Sequence, residues 1–181
     1  MALRRHWFWQ PDNAHTLKSR DHLLGVWYRT VGLGATLVLN IPADRRGRLD
    51  EADTSRLAEF ADEVSRRFSR PAPGVLEGGR TLVFPEPFTL DHLVLAEDLG
   101  RGQRVVGHEI AANGEVIAGG GTIGVKRVHA FPEVRASSIE IRLKGNGGTL
   151  RHATGFHTGY DAAPELEPQP FMAAKMDRNR P

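Results

Sequence analysis

Residues 35–41 read Ala35-Thr36-Leu37-Val38-Leu39-Asn40-Ile41. The run is apolar on both faces, which is how a parallel strand buried beneath helices reads, rather than a strand with one wet face. A strand of this kind needs neighbours on both edges. Upstream, Ser19 or Thr16 can cap a helix through Leu23, Leu24, Val26, Trp27, Tyr28 and Val31. Leu24, Trp27, Tyr28 and Val31 share one face at helical spacing. Gly32 and Gly34 then supply a stop, because glycine accepts the left-handed conformation at a helix end. Downstream, Pro42–Arg48 makes a polar turn and Asp50 can cap a second helix, with Glu51 and Asp53 suited to the positive end of its dipole. Leu57, Phe60, Ala61, Val64 and Phe68 form its apolar stripe, and Arg66, Arg67 and Arg70 close its C-terminal end. Residues 1–70 therefore read as helix, buried parallel strand, helix.

Arg70-Pro71-Ala72-Pro73-Gly74 reads as a linker. Beyond it the pattern changes to short strands: Thr81–Phe84, His92–Ala96, Arg104–Ala111, Glu115–Ala118, Thr122–Phe131, Ser138–Lys144 and Ala153–Tyr160. Ile139, Ile141 and Leu143 alternate with Glu140, Arg142 and Lys144, a strand with one face in and one out. Asn113-Gly114 is a hairpin signal, since both turn positions need positive φ. Six or seven short strands at such spacing predict an antiparallel sandwich over 75–160. The prolines and charges of 161–181 read as a disordered tail. The fold class expected is α+β.

Composition narrows the function. With 24 Lys+Arg against 22 Asp+Glu, the charge of +2 gives no bulk attraction for a nucleic acid. The absence of cysteine excludes a disulfide scaffold, a thiolate metal site and a cysteine nucleophile. No apolar run approaches the roughly 20 residues of a membrane helix. The stretch Met1–Trp7 has no apolar region of the kind a secretory signal needs. The eight histidines are scattered, and His152 and His157 lack helical metal spacing, so neither a metal nor another cofactor is expected. Gly119–Gly124 lacks the Lys-Ser/Thr ending of a phosphate loop and reads as a turn or bulge. Arg45-Arg46-Gly47-Arg48 reads as a solvated turn paired with Asp44, Asp50 or Glu51 rather than an anion patch.

Four stretches resemble the α-L-fucosidases of glycoside hydrolase family 29. They are Trp7-Phe8-Trp9-Gln10-Pro11-Asp12, the run from Val31-Gly32 through Leu37–Gly47, Glu97–Val105, and Gly121–Arg127. They occur in the family's order and span most of residues 7–160. The chain departs from the family at Ala35-Thr36, where Gly-Asn is frequent, and at Val125, where an aromatic residue is common. The resemblance implies that residues 1–70 are the end of a (β/α) barrel, its penultimate helix, last strand and last helix. It further implies that 75–160 are the jelly-roll-like β-sandwich that follows. A full barrel takes about 250 residues. The family's aspartate nucleophile and its acid/base glutamate lie upstream of the Trp7–Trp9 segment, so no catalytic residue is carried onto this chain. A retaining glycosidase needs both carboxyl groups, and the chain alone is expected to be inactive.

The substrate-binding candidates are Trp7, Phe8, Trp9 and Asn40. The aromatic run lies near the substrate pocket in the family, and aromatic faces complement the C–H face of a pyranose. Packing under the barrel rim is the competing role. Asn40 ends the last strand on the face where barrels place function, or it fixes a loop by bonding backbone. The implied partner is a fucosylated glycan bound by the intact enzyme, and the sequence assigns that enzyme to no compartment. An exposed barrel edge would favour self-association. The alternative is a non-catalytic carbohydrate-binding or structural β-sandwich with a vestigial helical lead-in.

Overall fold

A computed structural model describes residues 1–168. Helix α1 spans Arg20–Arg29 and α2 spans Glu51–Phe68. Strands follow as β1 (Val75–Glu77), β2 (Thr81–Glu97), β3 (Val105–Ala112), β4 (Glu115–Gly120), β5 (Arg127–Gly145) and β6 (Leu150–Phe156). Ser19 caps α1 by accepting from the His22 N–H, and Asp50 caps α2 by accepting from the Ala52 N–H. Gly34 ends the 3-10 turn after α1 at φ +81°, a left-handed stop.

The strands form one antiparallel sheet in the order β1-β2-β5-β3-β4, with β6 also paired to β2. Two pairs of expected short strands merge. Thr81–Phe84 and His92–Ala96 are the ends of β2, while the run ending at Phe131 and Ser138–Lys144 are the ends of β5. The prolines that suggested breaks lie in register shifts instead. Pro85 and Pro87 fall between the pairs Val83↔Ser138 and Phe88↔Ala136, and Pro132 between Leu90↔Val134 and His92↔Ala130. A residue without an N–H is tolerated where the ladder is already interrupted. The Asn113-Gly114 turn joins β3 to β4 with φ of 52° and 87°. Leu82, Leu93, Leu95, Ile110, Phe131, Ile139 and Ile141 meet in one core cluster that contains no residue of α1 or α2, so the bulged sheet supplies its own core.

Residues 35–41 correct the expectation on which the first half was built. They run extended but join no ladder. Their one bridge is a parallel contact between Ala2 and Asn40, and Val38 is 73% exposed. The strand buried on both faces lies elsewhere, in the second half of β2, where Leu90, Asp91, His92, Leu93, Leu95, Ala96 and Glu97 are all buried. Leu93 and Leu95 enter the sheet's core, whereas Val94 packs with Leu24, Trp27, Tyr28 and Phe68 under the helices. The expected stripe of α2 holds for Phe60, Val64 and Phe68, but Ala61 is exposed. The buried residues of α2 are instead Asp53, Glu63 and Arg67. Part of the expected disordered tail is docked: the Arg29 guanidinium donates to the Pro164 carbonyl, and the Glu167 N–H donates to His22 Nδ1. Residues 169–181 lie outside the described residues.

Candidate functional site

The first three residues run beside 38–40. Met1 donates to the Val38 carbonyl at 2.9 Å, Asn40 to that of Met1 at 2.8 Å, and Leu3 to that of Asn40 at 2.9 Å. Both segments then turn away at the same end, so the loop after Leu3 and the loop after Asn40 are neighbours. The Asn40 side chain joins them by donating to the Trp7 carbonyl at 2.8 Å. Asn40 thus has the backbone-fixing contact that was one of its two expected roles.

Trp7 and Phe8 are 59% and 77% exposed. Trp9 is half-buried, and its indole N–H faces Asp50 Oδ2 at 3.5 Å. A shallow cavity of about 360 Å³ lies between the two loops, lined by Phe8, Trp9, Gln10, Pro11, Ala43 and Asp44 among others. The four sequence-derived candidates therefore gather at one end of one short strand pair. The Arg45–Arg48 turn is the expected ion-paired loop. Asp44 accepts from the backbone N–H groups of Arg46 and Arg48 and from the Arg46 guanidinium. The backbone donor of Arg48 and the side chain of Arg46 hold its carboxyl at about 2.

Reading the sequence missed what holds this end together. Arg4 is fully buried and its guanidinium reaches Asp53 Oδ1 at 2.8 Å, Asn13 Oδ1 at 2.6 Å and Asp50 Oδ2 at 3.1 Å. Burial alone would lower its pKa, but the two carboxylates outweigh that and raise it. Asp53 has the acidic first-turn position that a helix dipole explains, and only the fold shows it to be fully buried. No spacing rule links residues 4, 13 and 53.

Two further polar clusters lie under and within the sheet. Asp91, freed from the ladder at a bulge, accepts backbone N–H groups from Thr158, Gly159 and Tyr160 and faces His92 Nδ1 at 2.8 Å. Burial opposes ionisation of this carboxyl, yet those donors outweigh it and hold its pKa low. With Nδ1 carrying the proton, His92 Nε2 accepts from the Tyr28 hydroxyl at 2.7 Å, whose oxygen accepts from Arg67 at 3.2 Å. This network ties α1, α2, β2 and the 158–160 turn together. In the second cluster, His108 and His129 meet Nε2 to Nε2 at 2.7 Å, with His108 Nδ1 on the Gly121 carbonyl. Among the described residues, no group of three or more His, Cys, Asp or Glu side chains is placed to hold a metal ion.

No protein-family model matches the chain. A protein of Oryza sativa subsp. japonica assigned as α-L-fucosidase 1 is 24% identical over 190 residues, covering 80% of this chain and 36% of the relative. The structure of a protein from Bacteroides ovatus ATCC 8483, assigned as an α-L-fucosidase, superposes with a TM-score of 0.78 at 28% identity. That match covers 93% of this chain and 31% of the other. A Ruminococcus gnavus family 29 fucosidase, solved in complex with fucose, superposes with a TM-score of 0.73 at 20% identity, covering 88% of this chain and 41% of the other. The chain thus spans little more than a third of the length of that Oryza sativa relative. Its sequence and structural neighbours are the α-L-fucosidases of glycoside hydrolase family 29, and it matches them over most of its own length, as a C-terminal portion of such an enzyme does.

Proposed function

We propose that this chain is the C-terminal part of an α-L-fucosidase-like retaining glycosidase. In this reading residues 1–70 are the end of a (β/α) barrel, and residues 75–160 fold as the β-sandwich docked on it. The observation that carries the reading is the parallel pair Ala2–Asn40 with an open outer edge. Leu37, Leu39 and Ile41 form no backbone hydrogen bonds within the described residues. An unpaired edge of this kind is a template for another strand. In a barrel that strand belongs to the same sheet, and the loops that follow the strands' C-terminal ends make the active site. Trp7, Phe8, Trp9 and Asn40 lie in or against those loops. We assign the exposed faces of Trp7 and Phe8 to contact with the sugar, Trp9 to the wall of the cavity, and Asn40 to holding the loop. The bound partner is a fucosylated glycan, and the nucleophile and acid/base carboxylates come from outside this chain.

Two measurements test this. Incubating the purified chain with a chromogenic α-L-fucoside should give no turnover. Turnover that survives repurification overturns the claim that the reacting carboxylates lie elsewhere. In 15N-edited NMR spectra, L-fucose at tens of millimolar, on the order suited to half a pocket, should shift the indole N–H signals of Trp7 and Trp9 and leave that of Trp27 unchanged. Shifts absent from Trp7 and Trp9 remove the sugar-contact reading. The open edge, together with exposed Val38, also leads us to expect self-association of the isolated chain.

A further inference from the structure

We infer that Arg4 is a positioning residue whose guanidinium clamps the base of the aromatic loop 5–12. What the loop is for rests on the fucosidase reading, but the clamp itself does not. Arg4 is the residue at which the chain leaves the Met1–Leu3 segment, and Asn13 is where it re-enters, ahead of the short 3-10 turn Ala14–Thr16. One nitrogen of Arg4 meets Asn13 Oδ1 at 2.6 Å, which ties the two ends of the loop to each other. Nε meets Asp53 Oδ1 at 2.8 Å and Nη2 lies 3.1 Å from Asp50 Oδ2, which ties both ends to the first turn of α2. Trp9, inside the loop, turns its indole N–H toward the same Asp50. The guanidinium therefore acts on the aromatic run through its base and, by way of Asp50, through Trp9.

The residue type follows from the task. A planar fork with fixed donor directions can hydrogen-bond Asn13 and Asp53 on two separate segments while Nη2 faces Asp50, which the compact ammonium of lysine cannot reproduce. Arg4, Asn13 and Asp53 are 0%, 3% and 0% exposed, so each lost contact leaves a dry polar group rather than a rehydrated one. With Trp9 held, Trp7 and Phe8 are presented outward at 59% and 77% exposure, although exposed aromatic side chains on an untethered loop would fold back onto apolar surface. A loop that must meet a ligand needs its supporting shell locked, since about 1 Å of looseness is enough to lose a productive geometry.

The test uses Trp7→Phe as the background, so that Trp9 and the 9%-exposed Trp27 are the remaining indoles. Into it are placed Arg4→Lys and, separately, Asn13→Ala. The second keeps the Arg4–Asp53 pair and cuts only the link across the loop. Collisional quenching of fluorescence by acrylamide should rise about twofold in both variants as Trp9 is released, with the far-UV spectrum unchanged. In Asn13→Ala the urea midpoint of the sheet should also be unchanged, which separates positioning from general loosening. Unchanged quenching in Asn13→Ala overturns the clamp, even if Arg4→Lys fails to fold. The measurement contains no sugar, so its failure speaks to the clamp alone, while the fucosidase reading stands or falls on the fucoside and fucose experiments.

Discussion

The Tyr28 hydroxyl accepts from Arg67 and donates to His92, and both partners are buried. Tyr28→Phe keeps the ring packed against Trp27 and Phe68 but strips His92 Nε2 of its donor. We expect a loss of about 1–3 kcal/mol in urea unfolding, the cost of one buried unsatisfied polar group. The histidines also set a pH dependence. Burial holds His92, His108 and His129 below the ordinary imidazole value, and His129 falls to about 3. His108 and His129 face each other, the Gly121 carbonyl and the Arg127 guanidinium, so neither has an anionic partner to stabilise a proton. The native state keeps them neutral while the unfolded chain binds protons below about 6.5. Their contribution is therefore complete above that pH and is lost as the pH falls below about 6.5, for His129 down toward about 3. Each such histidine steepens the unfolding constant by up to about tenfold per pH unit. Urea midpoints between pH 7.5 and 5 should fall in the wild type and fall less in His129→Gln; equal slopes refute the assignment. The carboxyls of Asp44 and Glu63, both held at about 2 by neighbouring donors, act only below that window.

Among the elements, α1 was the most legible. Its Ser19 cap and its buried face follow from local chemistry, whereas it ends at Arg29, short of Val31, and Gly34 stops the 3-10 turn beyond it; Ser19→Ala should cost about 1 kcal/mol in thermal or urea unfolding. What crosses α1 was not legible. A Cβ at Gly25 would stand 2.7 Å from the Pro164 carbonyl oxygen, so the chain at 164 lies directly on the helix there. Gly25→Ala improves helix propensity by about 1 kcal/mol yet drives this backbone off. We expect faster hydrogen exchange at the Glu167 N–H in that variant, and unchanged exchange refutes the docking of residues 164–167. The merged strands teach the same lesson. Pro85, Pro87 and Pro132 are breakers by local rule, but β2 and β5 absorb them in bulges because the strands are paired on either side. Asp91 is buried for the same reason, since the bulge turns it from the ladder toward the 158–160 turn.

At the scale of the molecule, two bodies of unequal independence are joined. The sheet has its own core, and the helices close on the outer side of β2 through Leu24, Trp27, Tyr28 and Phe68. The 1–3 and 35–41 segments contribute one parallel bridge and an open edge. We predict concentration-dependent association through that edge, reduced by Val38→Lys, because a charge on an edge strand opposes pairing. Sedimentation velocity decides the point. A wild-type chain that stays monomeric at high concentration refutes it.

The amino-acid order by itself determined the two helices and their caps, the hairpin at Asn113-Gly114, the antiparallel character of the second half, and the aromatic run with Asn40 as the place to look. These are local matters of spacing, turn chemistry and side-chain type. Only the tertiary structure decided which strand is buried on both faces, that prolines sit inside continuous strands, and that Arg4, Asn13 and Asp53 meet. Apolar residues state that burial is favourable without naming what covers them. Residues 35–41 show this most plainly, since their pattern asks for neighbours on two edges and the described fold supplies one. A buried ion pair between residues 4 and 53 depends on chain segments brought together by folding, and no periodicity carries that information.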